Sequence, residues 1–264
     1  MNSKSEADFD LKQKIINKVT ETAIASRVES AGKIDVNLDS DLPHLLQGQT
    51  NSLKITGEKI IAIKDIQLEK IDITCNDLSL NLTQALLGKI AFEQPGNFAI
   101  KLIFTESDCD RLLNSKYVRV LLQNLVFDIA GESAYFYFQQ AKCSLESDGN
   151  LSLTAVVVLH RQQQTKTARF KINFQFYQQG AGIKFFGGQY LNDKALDWNE
   201  TAAIMTKASQ LLDLRHFANE NLALEITNIQ IKDKQLIINS NTEIKKLPDS
   251  ITQSIKSVTE EINH

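Results

Sequence analysis

The feature that most constrains this fold is a long series of segments in which apolar and polar residues alternate. Residues 169–176 read RFKINFQF, with an apolar side chain at every second position. Successive side chains of a strand point to opposite faces, so this period of two predicts strands with one buried and one hydrated face. Such strands pair antiparallel, because a parallel sheet is normally covered on both faces. Roughly ten such segments lie between residues 34 and 238.

Turn chemistry supports the same assignment. Asp148-Gly149, between two alternating segments, is the strongest hairpin signal in the chain. The alternation slips by one residue near Asp77, which predicts a bulge or a corner. Both features are typical of antiparallel sheets.

Other segments carry apolar residues at steps of three and four, which predicts amphipathic helices. The first covers residues 9–29 and ends near Gly32. The second begins where Thr105 and Asp108 have the spacing of a capping box. The third runs from a cap at Asp197 or Asn199 to about residue 217. A short turn is expected at Pro43, and a last helix after Pro248 carries an apolar stripe of Ile251, Ile255, Val258 and Ile262.

The length of 264 residues is sufficient for about one to two domains. The order helix, strand, turn, strand occurs over residues 105–159 and again over residues 198–244, which indicates two related structural units. We expect residues 1–8 to form a disordered N-terminus and residues 9–264 to form a single elongated domain.

The amphipathic strands and helices must bury their apolar faces against one another. A strongly curved antiparallel β-sheet wrapped around amphipathic α-helices meets this demand, so we predict the α+β class. Such a sheet can close around an unfilled apolar interior, which would be a cavity suited to an acyl chain. The alternative is an ordinary packed core. Eleven of the 13 Phe residues lie from Phe92 to Phe186. Those expected to line a lipid tunnel are Phe98, Phe104, Phe136, Phe138, Phe170, Phe174 and Phe176.

One stretch of the chain is basic, although the whole chain has a net charge of −3. Residues 149–192 contain no Asp or Glu. A Lys or Arg near an anionic leaflet gains about 1 kcal/mol, so this stretch is expected to contact anionic headgroups. The alternative is a solvated strand face, and the overall acidity argues against nucleic acid as a partner. The basic residues are Arg161, Lys166, Arg169, Lys171 and Lys184.

No motif in the sequence predicts catalysis. The chain lacks Gly-x-Ser-x-Gly and the Walker A phosphate-binding loop, and its four His residues have no Cys or His partner at helical spacing. We therefore predict no catalytic residues, no metal site and no cofactor. Cys75, Cys109 and Cys143 are widely spaced and odd in number, so packed reduced thiols are expected. Asp108 and Asp110 flank Cys109, would raise the pKa of its thiol, and are expected at a solvated helix start.

Two stretches of the sequence resemble the bacterial LmeA-like phospholipid-binding proteins. The first covers residues 45–73 and the second begins at Gly96, and the likeness as a whole extends over about residues 9–245. Its motifs are hydrophobic patterns with a few glycines. The residues that carry it are Leu45, Leu46, Gly48, Leu53, Ile55, Gly57, Ile66, Leu68, Ile71, Ile73, Gly96, Phe104, Thr105, Glu106, Ser107, Asp108, Leu112 and Leu113.

The resemblance implies a relative of tubular lipid-binding domains, in which a curved antiparallel sheet wraps a long helix around an acyl-chain tunnel. It implies phospholipid binding, carriage between membranes and no catalytic residues. The sequence departs from the family at Asp65, where the family often has Gly. Members like the type protein are exported or membrane-anchored, whereas residues 1–16 here contain no apolar stretch of signal-peptide length.

These observations together predict a non-catalytic protein that binds phospholipid or another acyl lipid and acts in lipid transfer or in envelope and membrane lipid homeostasis. No segment approaches about 18 consecutive apolar residues. We therefore expect a cytoplasmic protein at the inner face of the membrane, in transient contact with an anionic surface. The alternative is a peripheral membrane or protein-interaction scaffold with a filled core, which would act through a terminal helix. An enzyme with scattered active-site residues is a third hypothesis, and no oligomeric state is predicted.

Overall fold

The computed structural model describes most of the chain between residues 28 and 244. The described ranges are 28–40, 49–62, 66–79, 93–116, 118–119, 126–129, 131–146, 148–161, 163–176, 182–192, 196–211 and 222–244. Residues 9–27 of the predicted first helix, the turn at Pro43, the helix after Pro248 and the N-terminus expected to be disordered lie outside them. The predicted end of the first helix is wrong, because Val28–Ser30 is a strand that pairs antiparallel with residues 61 and 62.

The described residues form twelve strands and two α-helices. In chain order these are β1 (Val28–Ser30), β2 (Lys33–Asp39), β3 (Gln49–Ala62), β4 (Ile66–Ser79), β5 (Gly96–Thr105), α1 (Glu106–Asn114), β6 (Val126–Ile129), β7 (Glu132–Leu145), β8 (Leu151–Arg161), β9 (Gln164–Phe176), β10 (Ile183–Tyr190), α2 (Trp198–Leu211), β11 (Leu222–Lys232) and β12 (Gln235–Ile244).

The strands form two sheets, and each pairing among the described residues is antiparallel, as the alternation predicts. The larger sheet has the order β1-β3-β4-β5-β12-β11, with β2 also paired to β3. The smaller sheet has the order β10-β9-β8-β7-β6. Each helix is followed by an antiparallel hairpin, β7–β8 after α1 and β11–β12 after α2, but the two hairpins belong to different sheets.

Bulges interrupt several of the strand pairs. Register shifts occur in the β7–β8, β9–β10 and β11–β12 pairs. A bulge bends its strand and increases its twist, which curves the sheet. At Asp77 on β4, where a bulge or a corner is predicted, the φ is 55° and the residue has no partner on β3. The β3–β4 register is nevertheless the same on both sides of Asp77, so the distortion there is local and inserts no residue. The hairpin at Asp148-Gly149 is confirmed, with Gly149 at a φ of 84° between β7 and β8.

Helix α1 begins at a capping box, as its sequence predicts. Thr105 Oγ1 accepts a hydrogen bond from the backbone N–H of Asp108 at 3.2 Å, and Asp108 Oδ2 accepts one from the N–H of Thr105 at 2.9 Å. The expectation that this helix start is solvated is wrong, because Asp108 is only 1% exposed. Its carboxylate is buried because it satisfies both the N–H and the hydroxyl of Thr105.

The same helix binds the backbone of β7 along one face. Glu106, Asp110 and Asn114 are spaced four residues apart, so their side chains follow one line along α1. They contact every second residue of β7, because one turn of an α-helix has nearly the same length as two residues of a strand. Their oxygens accept hydrogen bonds from the backbone N–H groups of Leu145 at 2.7 Å, Cys143 at 2.5 Å and Ala141 at 3.0 Å, respectively.

This contact, here called the α1 seam, covers an edge that would otherwise be open. Strand β6 pairs only with residues 132–135 of β7, so the rest of that edge lacks a strand partner among the described residues. Covering an edge with a helix is a known way to prevent strand addition. Because α1 follows β5 without a gap, the seam also ties the larger sheet to the smaller one.

One main hydrophobic core is shared by the two sheets. Ile60, Leu68 and Phe104 contribute from the larger sheet, and Phe136 and Leu159 contribute from the smaller one. A second, smaller cluster of Cys75, Leu78 and Phe98 lies on the larger sheet. All three cysteines are buried, as predicted. The two described helices lie beside the smaller sheet, so the wrapping of a sheet around helices stays a prediction.

Candidate functional site

The most ligand-like feature of the described residues is an apolar cleft of about 260 Å³ between α2 and the β9–β10 edge of the smaller sheet. Small-molecule pockets are mostly apolar, with a few polar groups that orient the ligand. This cleft fits that description, since only Gln189, Thr201 and the phenol of Tyr190 add polar side-chain atoms. Its lining residues are Phe170, Ile172, Phe185, Gly187, Gly188, Gln189, Tyr190, Leu196, Thr201, Ile204 and Met205.

Two consecutive glycines lie on the strand side of the cleft. Gly187 and Gly188 lie on β10, which pairs only with β9 among the described residues. A Cβ on Gly188 would lie 3.4 Å from Ile172, another cleft residue, so this glycine leaves space in the cleft. A Cβ on Gly187 would lie 3.4 Å from Asn173, on the other face of the sheet, so it would not fill the cleft. The β9–β10 register shifts between Phe185 and Gly187, and glycine inside a strand marks such a bulge as well as a place where a ligand approaches.

Helix α2 forms the opposite wall. Its N-terminus is a capping box, in which Asp197 Oδ1 accepts from the N–H of Glu200 at 2.9 Å and Glu200 Oε2 accepts from the N–H of Asp197 at 2.9 Å. The predicted cap at Asp197 is therefore confirmed. The hydroxyls of Tyr190 and Thr201 lie 2.5 Å apart and join the end of β10 to the first turn of α2. Ile204 and Met205 follow on the cleft side one turn later.

An ionic cluster lies beside the cleft, at the N-terminus of α2. The Glu200 carboxylate is fully buried, and its Oε1 accepts a hydrogen bond from Lys166 Nζ at 2.6 Å. Arg161 donates from Nε to Glu132 Oε2 at 2.7 Å, and its Nη1 lies 3.9 Å from Glu200 Oε1. Lys166 is also 3.9 Å from Asp197. Two cations therefore face three carboxylates, and a cluster of that balance offers no surplus positive charge to an anion.

The structure divides the predicted headgroup residues into two groups. Arg161 and Lys166 lie in the ionic cluster just described. Arg169, Lys171 and Lys184 make no ion pair with any described residue, and Arg169 and Lys184 are exposed. The assignment of all five to a membrane surface stays a prediction. Because Arg169, Lys171 and Lys184 are not engaged in ion pairs with described residues, they are the better candidates for it.

The predicted tunnel-lining phenylalanines are distributed over both sheets. Phe170 lines the cleft, and Phe174 packs edge-on against the cleft residue Phe185 with ring centroids 6.2 Å apart. Phe104 and Phe136 are buried in the main core, with Phe138 and Phe176 packed against it, and Phe98 belongs to the smaller cluster. Their role as a continuous tunnel lining stays a prediction.

Sequence reasoning did not single out most of the cleft. Phe185 and the Gly187-Gly188 pair are the missed residues with a recognisable signal, since two glycines interrupt a strand that begins with apolar alternation. Ile204 was recognised only as part of a helix face. Tyr190, Leu196, Thr201 and Met205 carry no signal that would separate them from ordinary core residues.

The described residues contain no group of three His, Cys, Asp or Glu side chains arranged to hold a metal. Hydrogen bonding to Cys143 and burial raise the pKa of the Cys109 thiol, so this sulfur is a poor nucleophile. Neither of the two described helices has the length and apolar character needed to cross a membrane.

A curved antiparallel sheet with an apolar cleft against a helix defines a class of proteins that bind apolar ligands. Within that class the chain belongs to the LmeA-like phospholipid-binding family, whose model matches residues 13–241. The match spans all twelve strands except the end of β12, and it includes each residue of the cleft. No curated protein matches the chain. The family is one of lipid binding rather than of a known enzyme activity, and it makes phospholipid the expected partner.

Proposed function

We propose that this protein binds a phospholipid without catalysis, with part of an acyl chain in the cleft between α2 and β9–β10. The observation that carries the proposal is the coincidence of a phospholipid-binding family with an apolar cleft, formed by described residues, that is open at its rim. Each methylene moved from water into such a site stabilises the complex by about 0.8 kcal/mol. The driving force for binding is therefore burial of the acyl chain.

The volume of the cleft indicates that it holds only part of a lipid. At about 260 Å³ it is smaller than the ~300–1,000 Å³ of typical small-molecule pockets. A long acyl chain therefore needs the cleft to extend, and α2 is the wall that can move. It is held to β10 by the Tyr190–Thr201 contact and to β9 by the Lys166–Glu200 ion pair, both near its N-terminus. It also contacts β6 and places Ile204 in the main core, so its movement would have to be small.

This site also leads to proposals on how the lipid is enclosed and what the protein does with it. The sheet would close around the acyl chain as in a tubular lipid-binding fold, with the headgroup left at the rim. The proposal extends to carriage of lipid between membranes, a role in lipid homeostasis and a cytoplasmic place at the inner face of the membrane. Nothing in the mechanism requires a reacting side chain, a metal or a cofactor.

Native mass spectrometry of the purified protein, with lipid extraction from the same sample, tests the proposal. We expect a stoichiometric co-purifying phospholipid, identified by its headgroup and chains. The delipidated protein should also extract a fluorescent phospholipid from liposomes. A bare protein that extracts no lipid would contradict the proposal and favour the scaffold hypothesis.

A further inference from the structure

The cleft of the proposed lipid site offers no charge to a ligand. Each described residue that lines it has an apolar or neutral side chain. On β9, Arg169 and Lys171 alternate with the cleft residue Phe170, so they point to the opposite face of the sheet. On β10, Lys184 directly precedes the cleft residue Phe185 and also points to that opposite face. An ionised group in the cleft would therefore lose its hydration without gaining an ion pair from these cations.

The ionic cluster beside the cleft does not attract a negative group either. Its cations are Arg161 and Lys166, and its carboxylates belong to Glu132, Asp197 and Glu200. Two positive and three negative charges leave the cluster with a formal charge of −1. A fatty acid is ionised at neutral pH, because a carboxyl group titrates near pH ~4. Its carboxylate would meet like charge at this end of α2, whereas an acyl ester carries no charge and avoids that cost.

One hydroxyl of the cleft is placed to bind an uncharged acyl group. Thr201 Oγ1 donates to the backbone carbonyl of Asp197 at 2.8 Å. Because a hydroxyl has one proton, Thr201 Oγ1 must accept in its 2.5 Å contact with the hydroxyl of Tyr190. Tyr190 is therefore the donor of this pair. Its proton can turn to a ligand carbonyl, since Thr201 then still keeps its hydrogen bond to Asp197.

The position of this hydroxyl gives the bound lipid a direction. Tyr190 is the last residue of β10 and Thr201 is in the first turn of α2, so the two hydroxyls lie at one end of the cleft. Phe185 continues the cleft along β10, and Met205 continues it one turn further along α2. A carbonyl group bound at Tyr190 would therefore leave its acyl chain between two apolar walls.

We infer that the cleft selects uncharged acyl esters over free fatty acids, and that the Tyr190 hydroxyl donates a hydrogen bond to the ester carbonyl. The inference rests on the proposed function, which it deepens by naming the chemical group bound at the end of the acyl chain. When Tyr190 donates to the ligand, one of the contacts that hold α2 to β10 is released. Tyr190 then both positions the ester and lets this wall of the cleft adjust.

Displacement of a fluorescent phospholipid by single-chain competitors tests the selection at neutral pH. We expect methyl laurate to compete at least about tenfold better than laurate, both below their micelle concentrations, because the carboxylate meets no cation in the cleft. Equal competition by the two compounds, or better competition by laurate, would overturn the selection and leave the proposed function intact. A protein that binds no phospholipid at all would contradict the inference and the proposed function together.

The role of Tyr190 is tested with two phospholipids that share a headgroup and differ only in ester or ether links to their chains. One neutral hydrogen bond should make the unmodified protein prefer the ester lipid by roughly two- to tenfold. Tyr190→Phe should bind both lipids equally. Thr201→Val should keep the preference, because it removes the resting partner of Tyr190 and leaves the donor in place.

The ratio of ester to ether affinity separates this hydrogen bond from a structural role of the phenol. If Tyr190→Phe weakens the binding of both lipids by the same factor and keeps their ratio, Tyr190 only supports the wall of the cleft and its role as donor is overturned. Tyr135→Phe is the matched control, at a tyrosine that is 52% exposed on β7, and should leave both affinities unchanged.

Discussion

Helices α1 and α2 both begin with a capping box but make opposite kinds of contact with the smaller sheet. Helix α1 presents Glu106, Asp110 and Asn114 to the backbone of β7, and each side chain accepts a hydrogen bond there. Helix α2 presents Ile204 and Met205 to β9 and β10 across a cleft.

The difference follows from what each helix faces. An unpaired strand edge offers backbone N–H groups, which need acceptors at fixed positions. A sheet face offers apolar side chains, which interact without directional requirements. We therefore expect α1 to be a fixed structural element and α2 to be the wall that adjusts to a ligand.

The largest expected effect comes from breaking the α1 seam at Asn114. Its side chain accepts from the N–H of Ala141 at 3.0 Å and donates to the carbonyl of the same residue at 2.6 Å. Asn114→Ala would leave two backbone groups without these partners, which costs about 2–4 kcal/mol of unfolding free energy. Urea denaturation measures the change. The control is Glu106→Gln, which keeps an acceptor oxygen for Leu145 and should cost much less. Equal effects would show that the seam is not held by these hydrogen bonds.

A smaller loss is expected from Glu200→Gln, at the N-terminus of α2. The amide can still accept the cap hydrogen bond, but Lys166 and Arg161 lose a buried negative partner. Hydrogen bonds to charged groups contribute about 1.5–3 kcal/mol, so we expect about 1–2 kcal/mol of destabilisation in the same assay. Because the Tyr190–Thr201 contact remains, lipid uptake should persist. Loss of uptake at unchanged stability would instead place Glu200 in the binding site.

The cleft itself is tested by a pair of substitutions on one strand. The ring of Gly188→Phe would enter the cleft beside Ile172, whereas the ring of Gly187→Phe would lie on the Asn173 side of the sheet. If the ring displaces about two methylenes of the acyl chain, it removes ~1.6 kcal/mol of binding, or roughly a tenfold loss of affinity. Fluorescent-lipid titration measures it. We expect Gly188→Phe to keep its thermal stability, since it fills space, and Gly187→Phe to bind normally.

The smallest effect concerns the thiols, which report on the α1 seam. Burial raises the pKa of Cys75, and hydrogen bonding to Cys143 together with burial raises that of Cys109. A raised pKa keeps a thiol protonated, so native-state alkylation should stay slow as the pH rises through about 8.5, where an ordinary cysteine ionises. All three should react after unfolding in urea. In Asn114→Ala, Cys109 should become reactive before Cys75 does. Simultaneous exposure would mean that α1 does not open separately.

The period-two pattern, the Asp148-Gly149 turn, the capping box at Thr105 and the cap at Asp197 were predictable because each depends on residues close in sequence. The cleft was not predictable, because Phe98 and Phe104 alternate with polar residues just as Phe170 does. Only the position of α2 opposite β9 distinguishes Phe170 from the other two. The spacing of Glu106, Asp110 and Asn114 is visible in the sequence, but their partner is an edge about 30 residues away. The pairing of Lys166 with Glu200 likewise depends on the fold.

The most direct test of the central claim is photo-crosslinking with a phospholipid that carries a diazirine on one acyl chain, followed by peptide mass spectrometry. We expect adducts on both walls of the cleft, at Phe185, Tyr190, Ile204 or Met205, that are lost in Gly188→Phe and retained in Gly187→Phe. Adducts confined to the larger sheet around Phe98, or adducts that Gly188→Phe does not change, would contradict the central claim.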